Sequence, residues 1–264
     1  MGLRELLMDP RVVSVDVDSS DRIARHRELL LQKRMTREVF FELYDLLERM
    51  DTKHLSPEPG RRIEIGSGSS LIKDRLPDVE TTDLVQYDGL DRIVDAMDMP
   101  FEDGELKTVF GIHCFHHLPD PYKFLSEIRR VCRPGGGVIL IDPYHGPLAS
   151  FVFKRLFTNE HFDKDGPAIS DHHGPMSDAN QALSYVVFQR ERERFEKKFP
   201  ELELVAMQPI SNYVRYLVSG GVNFRQLLPN QSIPLLRALE RALTPLGQYL
   251  ALHHVIVIRK RQLT

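Results

Sequence analysis

Residues 61–70, Arg-Arg-Ile-Glu-Ile-Gly-Ser-Gly-Ser-Ser, constrain the fold of this chain more than any other stretch. A short β-prone run carries a carboxylate, Glu64, and opens into Gly66 and Gly68, the pattern of a strand that turns sharply. The two glycines remove Cβ atoms that would obstruct both the turn and a molecule lying against its backbone. Ser69 and Ser70 are suited to cap a helix beyond it. The spacing predicts a strand, a ligand-binding loop and a helix.

Two kinds of cofactor use such a turn. A dinucleotide fingerprint asks for a third glycine three positions after the second, where a pyrophosphate meets the helix N-terminus. That position is Leu71, and Glu64 just before the loop would repel a pyrophosphate facing it. S-adenosylmethionine (SAM) has no phosphate and carries a sulfonium and an ammonium, so a carboxylate beside the loop suits it better. After Leu71–Leu76, Pro77-Asp78 reads as a helix stop, and Val79–Asp83 as a second short strand. Its terminal acid lies about 20 positions past the first strand, where a carboxylate can pair with ribose hydroxyls. Asp83 is the expected ribose ligand, with Asp88 and Asp91 as rivals in the same acidic, turn-rich stretch.

Further along, Arg92–Asp95 reads as a strand, Phe101–Gly104 as a turn and Lys107–Ile112 as an apolar strand leading into His113. Phe124, Leu125, Ile128 and Val131 recur at helical spacing before Arg133-Pro-Gly-Gly-Gly137, and Val138–Ile141 follows as a buried strand. Strands alternating with helices at this pitch imply a mostly parallel sheet with ligands at the strand C-termini.

In order and spacing, six motifs of residues 61–145 resemble a class I SAM-dependent methyltransferase, of a bacterial subgroup shortened after strand two. They are Glu64-Ile-Gly-Ser-Gly68, Thr82-Asp83-Leu84, Asp91-Arg-Ile-Val-Asp95-Ala96, Met99-Pro100-Phe101, His116-His117-Leu118-Pro119-Asp120 and Arg133-Pro134-Gly135-Gly136. The resemblance implies an α/β, Rossmann-like fold: a mostly parallel sheet with helices on both faces and an antiparallel C-terminal strand. It also implies that Glu64, Gly66, Ser67 and Gly68 hold the methionine end of SAM and Asp83 the ribose. Leu84, Asp95, Ala96, Met97 and His113 would border the adenine and the rest of the cofactor. The usual helix after strand two is almost absent, which bears on Leu84 in particular.

Outside this segment three regions stand apart. Residues 1–56 are expected as an N-terminal helical cap ahead of a domain over 57–264, with two helices in 21–50 broken at Thr36. Residues 146–180 are rich in loop formers and are expected to be a lid that orders over the cofactor. Ala179–Lys198 reads as helical, Glu201–Met207 as a strand, Ser232–Leu243 as a helix and His254–Ile258 as the last strand. Residues 209–250 form an apolar insertion whose resemblance to the same subgroup is weaker. It reads as packing on the sheet edge or, alternatively, as a substrate channel or interfacial surface.

Composition excludes little. With 35 basic and 38 acidic side chains the net charge is −3, which does not call for a nucleic-acid partner. Cys114 and Cys132 read as small buried hydrophobes in a reducing compartment. With no signal peptide or membrane-spanning run visible, a cytoplasmic location is expected, and peripheral membrane contact is not favoured. The oligomeric state is left open.

Histidines supply the candidate chemistry. His113, His116 and His117 sit close together and His172-His173 follow Asp171, so a metal site can be imagined. The His116-His117-Leu-Pro-Asp run is accounted for by the resemblance, and no metal is expected. The reading is methyl transfer from SAM to an oxygen or nitrogen of a small molecule or glycan intermediate, with His117 first and His145 second as candidate general bases. A non-catalytic SAM-binding partner domain and a nicotinamide oxidoreductase are the alternatives.

Overall fold

The computed structural model describes residues 6–12, 20–156, 160–170 and 179–262. Seven strands form one sheet: β1 (Arg61–Ile65), β2 (Glu80–Asp83), β3 (Arg92–Ile93), β4 (Leu106–Ile112), β5 (Cys132–Pro143), β6 (Leu202–Pro209) and β7 (His253–Lys260). Their spatial order is β3-β2-β1-β4-β5-β7-β6. The first five run parallel, β7 is antiparallel to β5, and β6 is antiparallel to β7. The expected α/β architecture is the one observed, and the strand order reverses between β1 and β4. In open α/β sheets that reversal opens a crevice at the strand C-termini.

Both faces of the sheet are covered, and the side-chain alternation shows which residue serves which face. Val138 and Leu140 of β5, with Ile256 and Ile258 of β7, pack into one layer beneath Phe124, Leu125 and Ile128. Ile139, Ile141, Val255 and Val257 point the other way, toward Leu43, Tyr44 and Leu47. Period-two alternation within uninterrupted apolar strands is what a doubly covered sheet requires. On the first face Phe115 stacks on Phe188 with ring centroids 5.2 Å apart. Truncating such a buried ring to alanine costs about 3–5 kcal/mol.

Local sequence explains most elements. Among the described residues α1 (Ser20–Gln32) and α2 (Arg34–His54) precede β1. A third, α3 (Pro121–Val131), follows β4 and starts where the Asp120 side chain accepts hydrogen bonds from the Tyr122 and Lys123 backbone N–H groups, with Pro121 in its first turn. No helix connects β2 to β3, as the shortened sequence led us to expect. Further helices are α4 (Pro147–Leu156), α5 (Arg192–Lys198), α6 (Tyr213–Ser219) and α7 (Ile233–Leu243). Among the described residues no helix is long and apolar enough to cross a membrane.

Several expectations need correction. The glycine turn leads into a 3₁₀ turn, Ile72–Asp74, and not into an α-helix. Pro77 lies too close for a longer helix, and the face it would cover is filled from upstream by α2. Leu43, Tyr44 and Leu47 pack there with Leu71, Ile72, Leu76 and Val79. The break between α1 and α2 falls at Lys33, whose extended backbone and ammonium contact to the Gly221 carbonyl (3.2 Å) interrupt the helix; Thr36 is buried inside α2. Within 146–180, where loop was expected, α4 forms because Ala149, Val152 and Phe153 are buried at helical spacing. Residues 179–198 are not one helix: a single turn, Leu183–Tyr185, passes into a π-helix, Val186–Arg190, before α5. His172 and His173 lie outside the described residues.

Cap and insertion are joined. Arg215 of α6 is buried and pairs with Glu240 of α7 (2.6 Å) and Glu42 of α2 (2.6 Å). Arg237 of α7 reaches Glu38 and Glu42 as well, and Met35 packs against Ile233 and Leu236. Breaking one partner of a buried pair such as Arg215–Glu240 costs about 3–5 kcal/mol, because the remaining charge stays desolvated.

Candidate active site

A cavity of about 460 Å³ opens at the C-terminal ends of β1, β2, β4 and β5, roofed by the N-terminal helices, Phe153 of α4, Glu160 and Tyr216 of α6. Its size suits a cofactor or small molecule. Glu64, Gly66, Ser67, Gly68, Asp83, Leu84, Asp95, Ala96, Met97, His113 and His117 all border it. His145 does not; it is turned away against Tyr144, Tyr185 and His254. Burial and nearby Lys164 push its pKa down to about 4. It is therefore neutral, but remote from the cavity.

The glycine turn is built by hydrogen bonds from its neighbours. Ser67 Oγ donates to the Glu64 carbonyl (3.1 Å) and accepts from Thr82 N–H (3.1 Å), which ties the turn to β2. This places the serine hydroxyl in scaffold work. Gly66 and Gly68 have φ of +57° and +46°, the left-handed region that glycine adopts at little cost. A Cβ at Gly66 would sit 2.8 Å from Cys114 Cβ, whereas one at Gly68 would meet nothing closer than 3.9 Å. Gly66 thus makes room for Cys114, and only Gly68 leaves open space at the turn. The third-glycine position is closed: Leu71 N–H donates to the Tyr44 hydroxyl (3.0 Å).

Glu64 is buried, and its Oε2 has no hydrogen-bond partner. Burial is the main reason that its pKa rises to about 7; Ser70 and Ser67 pull the other way, and Asp83 adds repulsion. A desolvated carboxylate with an orphaned oxygen at a cavity wall is poised for a cationic partner. Asp83 stands 19 residues on, its Oδ2 accepting from Gly68 N–H (2.8 Å) and its Oδ1 from Val85 N–H (3.0 Å). Its rival Asp91 is occupied by Thr81 and Lys73, and neither Asp91 nor Asp88 borders the cavity. Asp95 holds its own turn by accepting from Met97 N–H (2.8 Å). Leu84 lies at the mouth and is 56% exposed.

The β4 end carries the histidines. His113 has φ +54°, strained for a residue with a side chain, and its ring lies 4.4 Å from that of His253. Burial, reinforced by His116, drives its pKa down to about 3. His116 behaves oppositely: burial disfavours its charge, yet Asp142 and Glu160 outweigh that and lift its pKa to about 10. Its Nδ1 lies 2.7 Å from Asp142 Oδ1 and its Nε2 3.5 Å from Glu160 Oε2. His117 Nε2 is 4.0 Å from Glu160 Oε1.

Residues 66–140 match the family model of the methyltransferase domain. Over that stretch the chain is similar to methyltransferase domains. The chain resembles the tocopherol O-methyltransferase of Arabidopsis thaliana, with 33% identity over 82 residues, 31% of this chain and 24% of that protein. It also resembles the ajmaline N-methyltransferase of Rauvolfia serpentina, with 42% identity over 55 residues, 21% of this chain and 19% of that one. The chain thus spans a quarter or less of the length of these curated relatives. Among solved structures, a chain of the complex between the Haloferax volcanii Trm112 methyltransferase activator and a methyltransferase superposes with a TM-score of 0.52 at 16% identity. That match covers 95% of this chain and 99% of the other, and it concerns the fold alone.

Sequence reasoning missed Tyr44, Tyr216, His253 and Glu160, which also line the cavity. Tyr44 falls on the apolar stripe of α2 and reads as core. Glu160 follows α4 with no motif around it, so nothing local marks it.

Proposed function

We propose that this chain binds SAM in the cavity and transfers its methyl group to an oxygen or nitrogen of a small-molecule or glycan-type acceptor. The observation that carries this reading is Glu64: a buried carboxylate with an orphaned oxygen, set against a left-handed glycine turn where the stretch similar to methyltransferase domains begins. SAM fits this arrangement, with its ammonium at Glu64, its backbone-hugging portion beside Gly68, its ribose diol at Asp83 and its adenine between Leu84 and Asp95–Met97. A pyrophosphate would meet the Glu64 carboxylate and find the Leu71 N–H already taken by Tyr44. When bound, SAM supplies an electrophilic methyl on a sulfonium. The chain's own residues align an acceptor and exclude water, which supplies much of the rate for such a displacement. The acceptor lone pair forms the new bond, the carbon–sulfur pair returns to sulfur as S-adenosylhomocysteine, and a hydroxyl acceptor's proton goes to a base, for which His117 at the cavity wall is the candidate.

The lining also bears on the acceptor. Phe40, Phe153, Tyr216 and Val222 on the cap side favour an apolar or aromatic body, and Glu64, Asp83, Asp95 and Glu160 oppose an anionic one. Relatives named as O- and N-methyltransferases support both acceptor atoms. Both cysteines are free, in keeping with a cytoplasmic setting. The segment around Glu160 is read as a lid closing the cavity. Calorimetry with SAM, S-adenosylhomocysteine and NAD, followed by a screen of metabolite extracts for transfer of labelled methyl, tests the reading. Binding of NAD with no response to SAM overturns it.

A further inference from the structure

We infer that His116, His117 and Glu160 form a binding site for one divalent transition-metal ion in the wall of the cavity. Each offers a donor atom, and the three donors lie within 4.8 Å of one another. The two imidazoles come from the turn after β4, the carboxylate from the segment beyond α4, so the site joins the sheet to its roof.

The separations are close to those an ion requires. With zinc–nitrogen and zinc–oxygen bonds near 2.1 Å, tetrahedral donors stand about 3.4 Å apart. Here Glu160 Oε2 is 3.5 Å from His116 Nε2 and Glu160 Oε1 is 4.0 Å from His117 Nε2. These distances run to the two different oxygens of Glu160, and the three donors, all within 4.8 Å of one another, must draw together around an ion. Behind the site, fully buried Asp142 lies 2.7 Å from His116 Nδ1. A carboxylate on the far ring nitrogen keeps the Nδ1 proton in place, so that a metal displaces only the Nε2 proton, the arrangement that orients ligating histidines generally. His113, whose ring faces His253, takes no part.

Two imidazole donors select zinc, cobalt(II), iron(II) or nickel over magnesium and calcium, which prefer all-oxygen sites. Three protein ligands leave at least one coordination position open, the signature of a site that takes water or a substrate atom. With the ion bound His117 is a ligand and no longer a base, and since all three side chains border the cavity, the open position serves an oxygen or nitrogen of the acceptor.

The test is metal binding, read without SAM. The chain is stripped with a chelator, then titrated with cobalt(II), zinc(II) and magnesium(II), calorimetrically and, for cobalt, by its visible ligand-field bands. One cobalt or zinc per chain is expected, with magnesium silent. Glu160→Gln and His117→Ala should each weaken cobalt binding tenfold or more. Asp142→Asn, which touches no ion, should weaken it by about 10–100-fold while the ligand-field bands persist at saturation. Circular dichroism checks that the variants are folded. A His172→Ala/His173→Ala double variant should bind as the parent does. Absence of stoichiometric binding, or binding that survives Glu160→Gln and His117→Ala but not the double variant, overturns the assignment. S-adenosylhomocysteine titrated in the presence of chelator separates a failure of this site from a failure of the SAM reading.

Discussion

Replacing Glu64 by glutamine keeps the shape of the side chain and removes its charge, which tests the feature on which the proposed cofactor site rests. In the free protein burial raises the Glu64 pKa from 4.5 to about 7. At roughly 1.4 kcal/mol per unit, that shift corresponds to about 3 kcal/mol of stability. An acid with a raised folded-state pKa contributes stability that is present below its unfolded value and lost as pH rises through the folded one. The window is therefore pH 4.5 to about 7. Wild type and Glu64→Gln should denature alike at the acid end. At about pH 8 the variant should be the more stable by up to about 3 kcal/mol, measured by urea unfolding. Binding should change in the opposite direction. A cationic ammonium favours the ionised carboxylate, so SAM should bind wild type with release of a proton and with affinity rising about tenfold per unit up to the pKa. Loss of a charge-assisted hydrogen bond worth about 1.5–3 kcal/mol should weaken SAM at least tenfold in the variant. Calorimetry in buffers of different ionisation enthalpy detects the proton. Equal SAM affinity in both proteins, or a wild type that gains stability on the variant as pH rises, would refute the reasoning.

Asp83→Ala should weaken SAM tenfold or more by titration, since each charge-assisted bond is worth about 1.5–3 kcal/mol, while Asp88→Ala leaves affinity unchanged. Gly66→Ala combines a left-handed backbone with a Cβ 2.8 Å from Cys114 Cβ and should lower thermal stability more than Gly68→Ala, which has room. The backbone penalty alone is about 1–2 kcal/mol at either site. His117→Ala should reduce turnover on an identified acceptor with SAM affinity nearly constant, and His145→Ala should leave both alone; the reverse result removes His117 as the base. Amide exchange across residues 160–170 should slow when S-adenosylhomocysteine is bound, and unchanged exchange there would argue against a lid.

What the sequence made legible was whatever depended on short-range pattern. The apolar runs of β4, β5 and β7 and the Gly66 and Gly68 turn each carry their own local signature. Asp83 borders the cavity and Asp91 does not, since Asp91 is captured by Thr81 and Lys73, which the spacing of acids alone does not reveal. The helix expected after the glycine turn rested on the Ser69 and Ser70 caps and the Pro77-Asp78 stop, while the decisive factor is that α2 already occupies that face. Glu160 and Tyr44 were invisible for a related reason. Each reaches the cavity through tertiary packing from a segment distant in the chain.

The Tyr44 hydroxyl, bonded to Leu71 N–H and Ser70 Oγ, has a practical consequence for anyone who cuts this chain. The family match begins at Gly66, and residues 1–56 look dispensable by alignment. Yet Asp51 of the same helix is held by Lys107 and Thr108 of β4, and the helix supplies one side of a shared apolar layer. A fragment trimmed to the match would expose Ile72, Phe110 and Ile139 to water and deprive the glycine turn of its clasp. Such a fragment should emerge as insoluble protein, and limited proteolysis should find no stable product beginning near residue 57.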